Sequence, residues 1–139
     1  MTAMANFDEA VVEAAALDYL REIGYATQFG PRIGPGEPAG ERDSWEQVYL
    51  LDRMRSAARR INPEHQDLVE EAIKRVQRAE SQSELAENLR VHRLLVDGVP
   101  VEYRGPDGQV RTAYLRLIDF DDPDNNDWLA VSQVTIVGN

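Results

Sequence analysis

The residues best placed for chemistry in this 139-residue chain are two glutamates near its start. Glu9, Glu13, Ala16, Leu20 and Ile23 follow spacings of 4, 3, 4 and 3, which put them on one line of a helix. Three of the five are apolar and belong against a core; the carboxylates share their line. A carboxylate turned inward is costly unless it is paired, protonated or bound to a cation. On spacing alone Glu9 and Glu13 are candidates for such an environment, with no role assigned to either. The alternative is a first turn that overhangs into solvent, where glutamate also suits the helix dipole.

A second acidic feature is Asp119-Phe-Asp-Asp-Pro-Asp-Asn-Asn-Asp127, five aspartates in nine residues. Hard cations take oxygen ligands, so a metal loop has to be considered. Aligned as a calcium loop from Asp122, the run places Asp127 where glycine is required and Gln133 where a bidentate glutamate is required. The calcium loop is rejected. A turn whose Asx side chains bond nearby amides is the expectation. The two histidines, His65 and His92, fall in separate predicted helices. His92, on an apolar face, reads as a hydrogen-bonded core residue rather than a ligand. No phosphate loop, nucleophile elbow or H-E-x-x-H motif is present.

The elements that must position these groups are helices first and strands after. Residues 8–23 read as a helix ended by Gly24. From Phe29 to Ser44, seven of sixteen residues are Gly or Pro, which predicts a mobile surface loop without helix or strand. Ser44 and Gln47 have capping-box spacing ahead of a helix over 45–60 that buries Val48, Leu51, Met54 and Ala58. Asn62-Pro63 breaks it. A third helix over about 64–79 buries Leu68, Ala72, Ile73 and Val76, and a fourth over about 84–95 turns Leu85, Leu89, His92 and Leu95 inward. The arginines Arg53, Arg59, Arg60, Arg75, Arg78, Arg90 and Arg93 fall mostly on outer faces.

After Gly98 the period becomes two: Val99, Val101 and Tyr103 alternate with Pro100, Glu102 and Arg104, Gly105 to Gly108 turns, and a strand returns over 110–119. Residues 128–137 form a third extended run. The expected class is α+β, with N-terminal helices and a mainly antiparallel three-stranded sheet. The last strand, rich in Val and Ile, stops near the end of the chain with its edge uncovered. That predicts an interrupted sheet whose 129–137 edge is covered or pairs with another chain, including a second copy of this one.

Composition narrows the setting. No run approaches the ~18 apolar residues of a membrane span, MTAMANFDEA lacks the features of a secretory signal, and there is no cysteine. A cytoplasmic location without membrane association is expected. Twenty-five acidic against fifteen basic residues give a net charge of −10. That balance is opposite to a domain that grips DNA unaided. It leaves open a non-enzymatic acidic docking or DNA-mimic module.

From Glu9 to Gly138 the chain resembles the N-terminal domain of R subunits of type I restriction enzymes. The resemblance rests on Glu13-Ala-Ala-Ala-Leu-Asp-Tyr-Leu20 with Gly24-Tyr25, Arg59-Arg-Ile-Asn-Pro63, Glu70-Glu-Ala-Ile73, and Asn88 with His92 through Val101. The most specific block is Arg116-Leu-Ile-Asp-Phe-Asp121 with Asn125-Asn-Asp-Trp128 and Val131-Ser-Gln133. Where this chain has Ser132-Gln133-Val134, the family more often has Asn-Gln-Phe. The resemblance implies a PD-(D/E)xK nuclease fold, incomplete here because the family's Asp and Glu-x-Lys follow the strand matching Val131–Val137. It implies Mg²⁺ and ATP as cofactors of the intact subunit, neither held tightly by this fragment, which is expected to be inactive. It further implies DNA and the methylation and specificity subunits as partners, and a helicase-like motor outside this chain. Glu13, and less directly Glu9, match the acidic positions of the family's first helix, which implies both as catalytic residues and Glu13 as a contributor to the Mg²⁺ site of the intact subunit.

Overall fold

The computed structural model describes residues 8–138. The signal-peptide reading of MTAMANFDEA falls largely on residues 1–7, outside that range. The chain forms two compact units. One comprises residues 49–126; the other is built from the described residues on either side of it, 8–48 and 127–138.

The continuous unit holds the apolar core. Its helices are α2 (Leu51–Ile61), α3 (Val69–Gln77) and α4 (Glu84–Asp97), followed by an antiparallel hairpin of β2 (Val99–Arg104) and β3 (Val110–Leu115). Val99 pairs with Leu115 and Val101 with Ala113, so alternate residues of both strands face α3. Val69, Ala72, Ile73 and Val76 of α3 meet them with Ala58 of α2, and Leu115, Val69 and Val99 are wholly shielded from water. Pro100 sits on the free edge of β2, where no ladder amide is needed, and its carbonyl accepts a bond from Arg75.

The other unit is thinner. Helix α1 (Glu9–Glu22) is capped at its start by the Asp8 side chain, which accepts from the Ala10 amide. At its end Gly24 takes φ +106°, with Tyr25 N–H donating to Leu20 and Gly24 N–H to Arg21, a Schellman closure. Strand β1 (Ala26–Phe29) follows and pairs in parallel with β4 (Leu129–Ser132), Ala26 opposite Leu129.

The α+β class and the hairpin match expectation, but the three-stranded antiparallel sheet does not. The 128–137 run joins β1, not β3, giving two two-stranded sheets, one of them parallel. Two causes are visible. Strand β3 stops at Leu115 because Asn62 takes both the amide and the carbonyl of Arg116. The partner of β4 lies about a hundred residues earlier, in four residues too short to announce a strand. Among the described residues, β4 has a neighbour on one side alone.

The segment expected to hold neither helix nor strand carries the last residue of β1 and a 3-10 turn, Gly30–Ile33, with Ile33 buried. Arg42 is also buried, and its three guanidinium nitrogens donate to the carbonyls of Gln47, Thr135 and Trp45 at 2.7–2.8 Å. Helix α2 consequently starts six residues later than the capping-box reading. The Trp45 carbonyl serves Arg42 and Val137 N–H, the Gln47 carbonyl serves Arg42, and neither is left to begin a helix. The Gln47 side chain still reaches back, but to Asp43 N–H, around a turn. Val48, expected inside, is exposed.

Helix α3 begins at Val69, behind a 3-10 turn over Gln66–Leu68. Helix α4 starts where Ser83 caps Ala86 N–H, as its sequence predicts, yet it is rotated. Leu85 is 81% exposed, and Leu89 and His92 face solvent as well. The covered side carries Glu87, Arg90, Val91 and Leu94, together with Leu95, the one predicted inward residue that is half-buried. Arg90, read as an outer arginine, pairs with Glu87 and donates to the terminal carbonyls of α3, Arg75 and Val76. Those orphan carbonyls fix which side of α4 turns in.

Removing the Leu115 side chain should leave a cavity in the hairpin core. Leu115→Ala is expected to cost about 2–5 kcal/mol, read as a lower urea midpoint by far-UV circular dichroism.

Candidate functional site

Of Glu9 and Glu13, Glu13 is the one the fold holds in place. It lies in the second turn of α1 and is half-buried with Leu17 and Leu20, at i+4 and i+7. The contact line of α1 is thus Glu13–Leu17–Leu20, and the predicted line is rotated off it. Glu9, Ala16 and Ile23 are exposed. The helix packs on β1 and β4 of the small parallel sheet along one narrow contact line, and none of its residues is fully buried.

The Glu13 carboxylate meets the chain immediately after β4. Gln133 Nε2 donates to Glu13 Oε2 at 2.6 Å, a short, charge-assisted bond. Glu13 Oε1 takes no partner among the described residues. Together with Asp8, Glu9, Leu17 and Gln133, Glu13 lines an open cleft of about 360 Å³. Glu9 lies in the cleft wall and makes no ion pair among the described residues. Among the described residues, no three His, Cys, Asp or Glu side chains converge as a metal cluster.

Gln133, which sequence reading used only to reject a calcium loop and as part of a family block, is placed by an unusual backbone. Its φ is +55°, the one positive value among the described non-glycine residues. Opposite it, a Cβ on Gly30 would stand 2.5 Å from the Gln133 carbonyl oxygen and 2.7 Å from that of Ser132. Only glycine admits so close an approach of two backbones. The Gly-Pro pair after β1 was the available signal, but its partner could not be known from sequence.

The acidic run is a self-contained turn, as its composition predicts. Asp119 Oδ1 accepts from the amides of Asp121 and Asp122, and its Oδ2 accepts from Asn125 Nδ2 at 3.0 Å. Asn126 bonds Asp119 through both backbone groups of that residue. The Asn125 amide and the Asp122 N–H hold the Asp119 carboxyl below the ordinary carboxylate range. Arg116 pairs with Asp121, and Arg60 bonds the Asn125 carbonyl. His65 packs against the Tyr103 ring at 5.3 Å, while exposed His92 is no core histidine.

Residues 6–139 match the family described as Type I restriction enzyme R protein N terminus. The chain belongs to that family. It is 30% identical over 129 residues to the Type I restriction enzyme HindI endonuclease subunit of Haemophilus influenzae, covering 90% of this chain. It is 29% identical over 133 residues to the Putative type I restriction enzyme MjaIXP endonuclease subunit of Methanocaldococcus jannaschii, covering 93% of this chain. The chain spans 12% of the length of each relative. No solved structure matches. Among the described residues, no helix is long and apolar enough to cross a membrane.

Because the Asp119 carboxyl is lowered in the fold, its contribution is present above the unfolded carboxyl pKa of about 4 and disappears as pH falls through the lower folded value. Glu87, lowered first by Arg90 and then by the Glu80 amide, acts with the same sign. The urea midpoint should fall on acidification from pH 5 toward pH 3, and Asp119→Asn should flatten that fall.

Proposed function

We propose that this chain is part of the nuclease domain of a type I restriction R subunit, whose intact form hydrolyses duplex DNA with Mg²⁺ and couples cleavage to ATP-driven translocation. The observation that carries this reading is a helical carboxylate stationed at the end of a parallel strand, in a chain of this family. In the proposed PD-(D/E)xK arrangement, Glu13 stands beside the strand ends where the remaining ligands gather.

The donor chemistry suits a hard cation. Magnesium is commonly held by one or two carboxylates and keeps water in its other positions. Glu13 offers Oε1 for that purpose, while Oε2 is already held by Gln133. Magnesium, when bound, supplies Lewis acidity at the scissile phosphate and a water made nucleophilic near neutral pH. Glu13 contributes negative charge and fixed direction, and Glu9 adds a second charge at the same cleft. The further Asp and the Glu-x-Lys have no counterpart here. The sequence contains no Glu-x-Lys triplet, and its single lysine, Lys74, lies in α3 of the other unit. Cleavage by these 139 residues alone is therefore not expected.

DNA and the methylation and specificity subunits are the proposed partners, in the cytoplasm, with DNA grip supplied outside this acidic segment. The free edge of β4 is where an additional strand would join, whether from the same polypeptide or from a second copy. The acidic docking or DNA-mimic alternative gains nothing from Asp119–Asp127, whose carboxylates are committed in part to their own turn and to Arg116.

The test is Glu13→Gln in the intact R subunit assembled with its methylation and specificity subunits. DNA cleavage should fall at least about a hundredfold, while ATP hydrolysis and the melting temperature hold. Undiminished cleavage refutes the reading.

A further inference from the structure

The contact between Glu13 and Gln133 has features that packing alone does not require. Gln133 is an exposed residue in a conformation that favours glycine. Nothing apolar is gained by placing a glutamine there, since the side chain lies open to solvent. Asparagine and glycine tolerate this backbone better, but asparagine is one methylene shorter. What glutamine provides is reach: its amide nitrogen comes within 2.6 Å of one carboxylate oxygen on a helix 120 residues away in sequence.

The strain is enforced from the other side. The carbonyls of Ser132 and Gln133 press on Gly30, where any Cβ would stand under 3 Å from backbone atoms. Beyond Gln133 the chain is tied down again, by Arg42 to the Thr135 carbonyl and by Val137 N–H to the Trp45 carbonyl. The main chain on either side of Gln133 is therefore fixed before its side chain makes any bond. Strain that surrounding structure over-determines is a mark of a functional position.

We propose that Gln133 is a positioning residue. By donating to Glu13 Oε2 it fixes the carboxylate's rotamer and leaves Oε1 as the single free oxygen facing a divalent cation. The inference rests on the reading of Glu13 as a cation ligand and extends it to the group that orients that ligand. Partners of this kind, bonded to a ligand rather than to the ion, typically govern affinity by 10–100-fold. Gly30 is the spacer that permits the arrangement.

The test separates positioning from folding. In the intact R subunit, Mn²⁺ affinity is measured by calorimetry and melting temperature by differential scanning, for the unsubstituted protein, Gln133→Gly, Gln133→Ala and Glu13→Gln. Gln133→Gly relieves the backbone while removing the amide. It should melt at or above the unsubstituted temperature yet bind Mn²⁺ about 10–100-fold more weakly. Gln133→Ala should lose the same affinity and also melt lower. If Gln133→Gly keeps full affinity while Glu13→Gln loses it, Gln133 has no positioning role and Glu13 keeps its own. If affinity falls only in the variants that melt lower, the role is structural and the proposal is overturned. If Glu13→Gln binds Mn²⁺ as the unsubstituted protein does, the reading of Glu13 falls, and with it that of Gln133.

Discussion

A guanidinium withdrawn from water must have its donors filled, or it costs several kcal/mol. Arg42 meets that demand with three backbone carbonyls, two from the segment just after it and one from Thr135, and its guanidinium lies 5.8 Å from the centre of the Trp45 ring. The bonds run both ways in their consequences. They satisfy the arginine, and they oblige residues 45–47 and 135 to keep the directions that present those carbonyls. Helix α2 is delayed as a result, and the stretch after β4 is drawn against residues 42–47. The Gly30 contact, the conformation of Gln133 and the location of Glu13 all lie along the chain that this arginine anchors.

The two units solve different problems. Residues 49–126 enclose a conventional core in which α3 covers a hairpin, and arginines close the ends: Arg90 on α3, Arg75 on the β2 edge. The other unit has little apolar interior. Parallel pairs are ordinarily covered on both faces, whereas α1 leaves Val11, Val12, Tyr19 and Ile23 more than half exposed. It is held by polar closures instead, the Schellman turn, the Arg21 bond to Thr27 and the Arg42 hub. The Glu13–Gln133 contact sits in the thinner unit, beside a positive-φ backbone; ordinary packing sits in the other.

Local signals in the sequence were read well where the physics is local. The end of α1 follows from Gly24, the β2–β3 register from strict alternation around Gly105–Gly108, and most of the α3 face from Ala72, Ile73 and Val76, although Val69 and not Leu68 is its fully buried start. The Asp119 turn was equally legible, because an Asx side chain finds its partners two to seven residues away. What failed was set by partners distant in the chain. Ala26–Phe29 becomes a strand only because Leu129–Ser132 lies beside it. Trp45 is kept out of a helix by Arg42 and Val137, and the inward side of α4 is chosen by the carbonyls of α3. At the site itself, Glu13 could be singled out by spacing and family resemblance, but Gln133 and Gly30 could not. Their juxtaposition arises from an approach of two backbones that no periodicity encodes.

The pairing of β1 with β4 has a consequence for synthesis on the ribosome. Ala26 emerges about a hundred residues before Leu129, an interval of roughly 5–20 s at ordinary elongation rates. Within that interval the uninterrupted 49–126 stretch is made in full and can fold as it completes, while the first strand waits with an unpaired edge. Waiting edges invite wrong pairings between nascent chains. The Gly-Pro-Arg-Ile-Gly-Pro-Gly run directly behind Phe29 is poor material for extending a β-ribbon, so it limits such errors until the late-arriving strand closes the unit.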